Sequence, residues 1–323
     1  MNSHSKKSKL SQLLQRFDQL GIVLVLIVLM VAVGFKNSTF YSWDNIINVL
    51  RSTSFIFIIG IAITYVLITG GLDLSVGSVM AMAGILSAMT AQAGAPLLAS
   101  ILCGILFGFV IGLINGILVV RMNIPALIVT LGMMYVVDGL VLIVTKGSPI
   151  YPLPDSFKAL GQGSILGVPN IVLIALVLAL IGAFVLHNTQ YGRCVYAIGG
   201  NRETARLAGI HVNAIQMSVY VLASVSASLG GILMAGRLNS AQPSAGSGYE
   251  LTVVAAVIIG GTSMFGGSGS IFGTLLGALL MTVIENALLL MKISAYWQSL
   301  IVGIIIIFAV GLDQYRRKKY GMG

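Results

Sequence analysis

The sequence predicts an all-α polytopic membrane protein with about ten transmembrane helices, some of them broken or re-entrant. Of its 323 residues, 57% are hydrophobic and 8% are charged, whereas soluble domains carry about 25% charged residues. A water-soluble chain of this size could not bury so much apolar surface in one core. Apolar runs near the roughly 20 residues that a helix needs to cross a bilayer also recur along the whole chain. The 39 glycines fit this class, because small residues let membrane helices approach closely.

The apolar runs predict ten membrane segments. The first follows a basic stretch and lacks a small-residue cleavage site, so we expect an uncleaved span rather than a signal peptide. The predicted spans cover residues 20–35, 46–69, 75–93, 96–120, 125–145, 169–187, 215–236, 250–263, 267–290 and 296–312.

The charge distribution predicts that both chain ends lie in the cytoplasm. An even number of spans places both ends on one side, and basic residues cluster at both ends, as the positive-inside rule requires of cytoplasmic segments. The net charge of +9 therefore indicates membrane orientation and predicts no nucleic-acid partner. The connection "KGSPIYPLPDSFKALGQGSILGVPN" then lies outside, where its proline and glycine content predicts a loop or a short lid.

Two stretches interrupt the simple pattern of membrane hairpins. "ITGGLDLSVGS" places Asp73 between two apolar runs with almost no loop, and "YELTVVAAVIIGG" is too short to cross a bilayer alone. Non-helical backbone at membrane depth occurs only where protein or a water-filled cavity surrounds it. Glycine-interrupted segments in the two halves of a transporter often mark the substrate route. Both stretches therefore predict broken helices beside a pathway.

Polar residues inside the apolar runs are the candidates for lining that pathway. Ionisable groups at membrane depth are costly and usually face a cavity, a partner or a helix end. For Asp73 the alternative is capping of the helix that begins near Ser75, and for Asn115 it is a hydrogen bond to a neighbouring helix. The pathway candidates are Asp73, Ser75, Asn115, Glu285 and Asn286.

The remaining motifs offer no catalytic or metal site. "GTSMFGGS" spaces its glycines like a phosphate-binding loop, but Gly267 stands where that motif needs lysine. The histidines and cysteines lack metal-ligand spacing, so we predict no metal, no bound cofactor and no enzymatic activity. Tyr249 and Glu250 follow "SAQPSAGSG" on the outer side, where they could line an entrance, touch an extracellular partner such as the binding protein, or anchor the start of a helix.

A short charged segment, "NRETARLAG", stands in the middle of this apolar chain. Asn201 is a good N-cap, Glu203 suits the first turn, and Gly209 can end the helix, which predicts a helix over 202–208. A helix this short is not stable alone, so its own protein or a partner must hold it. Docking into a partner and a solvated surface turn both remain open from the residues alone.

Four blocks in order resemble the permease of ribose-type monosaccharide ABC importers. They are "GLDLSVGS", "YGRCVYAIGGNRETARLAGI", "SAQPSAGSGYEL" and "AAVIIGGTSMFGGSGSIFGTLLGALL", and the resemblance extends from about residue 20 to the end. It implies that 201–209 is the coupling helix, which docks in a separate cytoplasmic ATPase with two fused nucleotide-binding halves. The coupling residues so implied are Asn201, Arg202, Glu203, Ala205, Arg206 and Gly209.

The resemblance also implies the remaining parts of the system. Two permease copies would form the pathway in the bacterial inner membrane, and a periplasmic binding protein would deliver the sugar. ATP and magnesium would be bound by the ATPase. The chain would divide into a cytoplasmic segment 1–19, a permease domain 20–312 with a coupling loop 188–214, and a cytoplasmic tail 313–323. The alternative is an ion-coupled secondary sugar carrier, which broken helices with Asp73 and Glu285 would also suit.

Overall fold

The computed structural model describes residues 20–320, and within them the fold is helical apart from one two-residue β-hairpin. A 3₁₀ turn at Ser38–Tyr41 joins the first two helices. The helices are α1 Leu20–Lys36, α2 Trp43–Ile68, α3 Val76–Gln92, α4 Leu97–Val120, α5 Ala126–Thr145, α6 Asp155–Gln162, α7 Asn170–Asn188, α8 Gln190–Gly200, α9 Arg202–Leu207, α10 Val212–Leu238, α11 Tyr249–Ile259, α12 Ile271–Leu290 and α13 Ala295–Tyr320.

Six helices within the described residues are long and apolar enough to cross a membrane: α2, α4, α5, α7, α10 and α12. Three further apolar helices are shorter, namely α1, α3 and α11. The all-α membrane fold is thus confirmed, whereas the predicted number of about ten transmembrane helices is not established. The predicted span 250–263 is a helix of only 11 residues, about 16 Å long at 1.5 Å per residue.

The core of the bundle is built around α2, α3 and α10. The middle of α2 is buried on all sides, and α10 packs along α4, α3 and α2. By contrast, α5 and α7 leave large apolar side chains such as Ile143 and Leu180 exposed. Exposed apolar surface of this extent suits lipid, because hydrocarbon tails solvate it without cost.

The two predicted breaks lie next to each other in the fold. The first separates α2 from α3 at 69–75, and the second separates α11 from α12 at 260–270. The Gly267 N–H donates to the Ile68 carbonyl at 2.9 Å, so the second break closes onto the end of α2. The φ of Gly267 is +80°, a conformation that residues with a Cβ rarely adopt. Tertiary contact between two separate breaks therefore supplies hydrogen-bond partners that a continuous helix would have provided.

The long polar connection after α5 is not simply a loop. It contains the amphipathic helix α6 and a hairpin in which β1 (Ser164–Ile165) pairs with β2 (Val168–Pro169). Phe157 and Gly161 are buried, and α6 packs on α10. The proline and glycine content of this connection disfavours a helix, but burial of one face of α6 against the end of α10 stabilises one. The helices α7 and α10 both run across the bundle between the side on which α6 lies and the side on which α9 lies. We refer to these two sides of the bundle as the α6 end and the α9 end.

Candidate functional sites

The short charged segment forms a capped helix at the α9 end. The Thr204 N–H donates to the Asn201 Oδ1 at 2.9 Å, and Gly209, with φ +81°, follows the last turn. The predicted helix is confirmed, ending one residue earlier than expected, at Leu207. Its coupling role stays a prediction.

One residue of α9 attaches it to the protein, and its charged residues face solvent. Ala205 is 3% exposed and packs with Ile198 and Val212. Arg206 and Glu203 form an exposed ion pair at 2.6 Å, a type worth less than about 1 kcal/mol. The charged residues of α9 therefore face solvent and contribute little to the stability of their own chain.

An apolar side chain lies among these charges. Leu207 is 79% exposed, and on the same helix the Arg202 guanidinium donates to the Asn213 Oδ1 of α10 at 3.3 Å. The exposed surface of α9 therefore combines one apolar side chain with two arginines.

The preceding helix connects α9 to both breaks. The Tyr196 hydroxyl donates to the Gly269 carbonyl at 2.8 Å, and burial raises the pKa of Tyr196 to about 12. Gly199 lies against the Ile68 carbonyl and the Gly267 N–H, where a Cβ atom would clash with backbone. These contacts join α8 directly to the end of α2 and to the 260–270 segment.

Three of the pathway candidates meet in one buried cluster. The Asp73 Oδ1 accepts from the Ser75 N–H at 2.9 Å and from the Ser75 hydroxyl at 2.7 Å. The Asn115 amide donates to the Ser75 hydroxyl at 2.9 Å. All three residues are 0% exposed. The Asp73 carboxylate thus bonds Ser75, the residue that precedes α3, but within the described residues no side-chain bond from Ser75 caps the first turn of α3. The bond from Asn115 to Ser75 matches the helix-bridging alternative, and the role of these residues in the pathway stays a prediction.

Capacity for hydrogen bonding remains in this cluster. The Asp73 Oδ2, the Asn115 Oδ1 and the Tyr220 hydroxyl are buried and have no hydrogen-bond partner within residues 20–320. Tyr220 lies close to the break, since a Cβ on Gly71 would come within 2.8 Å of its hydroxyl. Sequence reasoning missed Tyr220 because a tyrosine in an apolar helix is unremarkable until its neighbours are known.

Glu285 and Asn286 are adjacent in sequence but lie in different surroundings. Asn286 exchanges two hydrogen bonds with Asn45 of α2, at 3.1 and 2.8 Å, so it joins α12 to α2. Glu285 is partly buried and belongs to no ion pair within residues 20–320. None of the hydrogen bonds of the Asp73 cluster within the described residues involves Glu285. Whether Glu285 and Asn286 line a pathway stays a prediction.

The two candidates for an extracellular contact begin α11. Tyr249 and Glu250 are both partly buried, and the Glu250 carboxylate accepts from the Gly248 N–H at 3.3 Å. The Glu250 carboxylate also lies against Gly77, at the start of α3. The first turn of α11 therefore contacts the first turn of α3 and serves in part as an internal helix junction.

The comparisons with known proteins assign the family. Residues 45–310 match the family described as the permease component of branched-chain amino acid transport systems, and the chain belongs to that family. It is 42% identical over 300 residues to the ribose import permease protein of Bacillus subtilis, covering 92% of this chain and 93% of the relative. The ribose import permease protein of Escherichia coli (strain K12) is 39% identical, with 91% and 93% coverage.

A relative with another substrate in its name is nearly as similar. The L-arabinose ABC transporter permease protein of Azospirillum brasilense is 36% identical over 94% of this chain and 90% of its own length. No solved structure matches the chain. The chain is therefore a membrane permease of an ABC import system and not itself an enzyme, and the alternative of an ion-coupled carrier is not supported.

Proposed function

We propose that this chain is the permease of an ATP-driven monosaccharide importer whose cargo is ribose or a similar sugar. The observation that carries the proposal is near full-length similarity to permeases named for ribose and for L-arabinose. The family description names branched-chain amino acids, but it covers the family as a whole. Relatives that match over nine-tenths of both chains are the better guide to the cargo.

The permease is proposed to lie in the bacterial inner membrane with ten helices embedded in it and both ends in the cytoplasm. The domain division follows this topology, with a cytoplasmic segment 1–19, a permease domain 20–312 and a cytoplasmic tail 313–323. In this orientation the α9 end faces the cytoplasm and the α6 end faces the periplasm. The short helices α3 and α11 begin within the bundle, where surrounding protein supplies partners for their first N–H groups.

The helix α9 is proposed to dock in a cleft of a cytoplasmic tandem ATPase, which binds the ATP and magnesium. Two copies of the permease would each present one α9. Support comes from the exposed Leu207, Arg202 and Arg206 on a helix that Ala205 anchors. Because Tyr196 and Gly199 contact the two breaks, closure of the ATPase would shift both broken hairpins and change access to the pathway.

The periplasmic binding protein is proposed to deliver sugar at the α6 end. The coupling loop 188–214 and the binding-protein surface then lie at opposite ends of the bundle. Tyr249 and Glu250 lie on the route between the α6 end and the Asp73 cluster, as partly buried positions suggest. The permease can rely on weak contacts along the route because the binding protein selects the sugar first.

The class of transporter is tested by gentle solubilisation from the native membrane followed by mass spectrometry. We expect a cytoplasmic ATPase with two nucleotide sites and a periplasmic sugar-binding protein to co-purify. The ligand of that binding protein identifies the cargo. Recovery of the chain without an ATPase after crosslinking would contradict the proposal.

Coupling is tested with the double variant Arg202→Glu/Arg206→Glu in proteoliposomes that contain the whole importer. Reversed charge should weaken docking, so uptake should fall by at least about tenfold, equivalent to about 1.4 kcal/mol, while the ATPase still hydrolyses ATP. The matched control is Arg202→Lys/Arg206→Lys, which keeps the charge. Normal uptake by the charge-reversed variant would exclude α9 as the coupling element.

A further inference from the structure

An open apolar groove lies on the outer surface of the bundle between α4, α8 and α10. Its volume is about 470 Å³, which is within the range of pockets that hold small ligands. The side chains that line it include Phe109, Leu113, Tyr191, Met217 and Val221. Since α4 exposes large apolar side chains along its length, the groove opens toward the hydrocarbon of the bilayer.

The polar atoms of the groove are already bonded to one another. The Ser218 hydroxyl donates to the Ile215 carbonyl at 2.8 Å. Its oxygen therefore accepts from the Tyr191 hydroxyl, 2.7 Å away, so neither hydroxyl keeps a free donor for a polar ligand. A sugar would gain few hydrogen bonds in such a groove, whereas an alkyl chain fills it by van der Waals contact. The groove thus favours an acyl chain over a saccharide.

The packing of α4 on α10 shows which residues lie at the α9 end of the groove. Gly116 of α4 lies against the Cα atom of Met217 of α10. One turn earlier in α4, Gly112 lies against the Cα atom of Val221, so the two helices run antiparallel. Continuing this register past Gly116 places Arg121, the residue that ends α4, level with the first turn of α10.

A second guanidinium is held at the same level. Arg202 of α9 donates to the Oδ1 of Asn213, a residue of that first turn of α10, at 3.3 Å. Arg121 and Arg202 are both exposed, and neither belongs to an ion pair within residues 20–320. The acidic residue next to Arg202 in the sequence, Glu203, is engaged by Arg206. The groove therefore ends at two cationic groups whose charge no ion pair within the described residues balances.

An anionic phospholipid carries the chemistry of both features in one molecule. Leu113, which lines the groove, precedes Arg121 by eight residues on α4, about 12 Å at 1.5 Å per residue. An acyl chain spans about 15 Å, half of the roughly 30 Å hydrocarbon core, so one lipid reaches from the arginines into the groove. Guanidinium groups bind phosphate through paired hydrogen bonds, and basic pockets between membrane helices at the cytoplasmic side bind anionic headgroups.

We propose that Arg121 and Arg202 hold the phosphate of an anionic phospholipid whose acyl chain lies in the groove between α4, α8 and α10. The bound lipid joins α9 to the end of α4. Its place in the cytoplasmic leaflet follows from the orientation proposed above, whereas the site itself does not depend on the cargo.

The test measures lipid binding to the full-length permease in detergent by native mass spectrometry. Phosphatidylglycerol is compared with phosphatidylethanolamine of the same acyl chains, so the two lipids differ only in the headgroup. One arginine beside an anionic membrane surface strengthens binding about fivefold. Arg121→Gln should therefore weaken phosphatidylglycerol binding about fivefold and Arg121→Gln/Arg202→Gln about 25-fold. Binding of phosphatidylethanolamine, whose net charge is zero, should change by less than about twofold.

Matched variants separate this site from its surroundings. Arg121 lies outside α9, so Arg121→Gln distinguishes lipid binding from the proposed docking of α9. Arg193→Gln replaces an exposed arginine of α8 and should keep the wild-type preference for phosphatidylglycerol. Leu222→Trp in the wall of the groove should weaken both lipids equally, whereas Leu102→Trp, at an exposed position elsewhere on α4, should weaken neither.

Three results would overturn the assignment. Equal affinity of the wild type for the two lipids would exclude a site for an anionic headgroup. An unchanged preference in the double-arginine variant would place the site elsewhere. Binding of sn-glycerol 3-phosphate as tight as that of phosphatidylglycerol would show an anion site that does not use the groove. A permease that keeps this lipid preference but imports no sugar would instead contradict the proposed function alone.

Discussion

Replacing Asn201 by alanine removes the side-chain hydrogen bond with which α9 begins. The Asn201 Oδ1 accepts from the Thr204 N–H at 2.9 Å, and α9 has only six residues, so this cap satisfies a large share of its free donors. Loss of an N-cap costs about 1 kcal/mol, which lowers the ratio of folded to frayed helix about fivefold. We expect uptake by the reconstituted importer to fall by up to this factor while the bundle stays folded.

The assay combines sugar uptake with amide hydrogen exchange of residues 201–209. Faster exchange confined to α9 is expected for Asn201→Ala, and Asn201→Asp should restore protection because aspartate caps equally well. Asn188→Ala is the matched control, since Asn188 ends α7, is exposed and is also at the α9 end. Unchanged exchange in α9 together with reduced uptake would refute the reasoning, because the defect would then not arise from fraying.

Two further substitutions test the joints between helices. Asn286→Ala leaves the buried Asn45 amide without its partner on α12 and should lower the stability of the detergent-solubilised protein by about 1–3 kcal/mol, as measured in a thermal denaturation series. The double variant Asn45→Ala/Asn286→Ala is the comparison. If its loss of stability equals the sum of the losses of the two single variants, the two side chains make no joint contribution. Gly199→Ala places a Cβ against the Ile68 carbonyl and the Gly267 N–H and should separate α8 from the breaks, so ATP hydrolysis should continue with reduced uptake. Gly200→Ala, where a Cβ meets open space, is its control; equal transport by both variants would contradict the proposed contact path.

Part of the candidate machinery was predictable because its causes are local. Asn201, Glu203 and Gly209 are cap and first-turn residues whose preference follows from free N–H and C=O groups at helix ends, and α9 forms where they predict it. The glycine-rich stretches predicted both helix breaks, again from a local preference of the backbone. The helix α6 was missed because its stability comes from burial of Phe157 against α10, a contact that composition does not show.

The positions of the polar side chains relative to one another were not predictable. Asp73 and Ser75 are two residues apart, so a hydrogen bond between their side chains is a local contact. That Asn115 completes the cluster required the packing of α4 against α3. Glu285 and Asn286 were grouped by adjacency, yet successive residues of a helix point in directions about 100° apart, and only Asn286 meets Asn45.

By itself the sequence determined that this is an all-helical membrane protein, where its apolar segments lie and where its short charged helix begins. Those properties depend on hydrophobicity and end-capping, which act over one turn or one span. Only the tertiary structure brought Asn115 to Ser75 and Asn286 to Asn45, and only it joined α8 to both breaks. The reason is that these helices are apolar on nearly every side, so their sequences do not mark which face meets which neighbour; close packing of the whole bundle decides it.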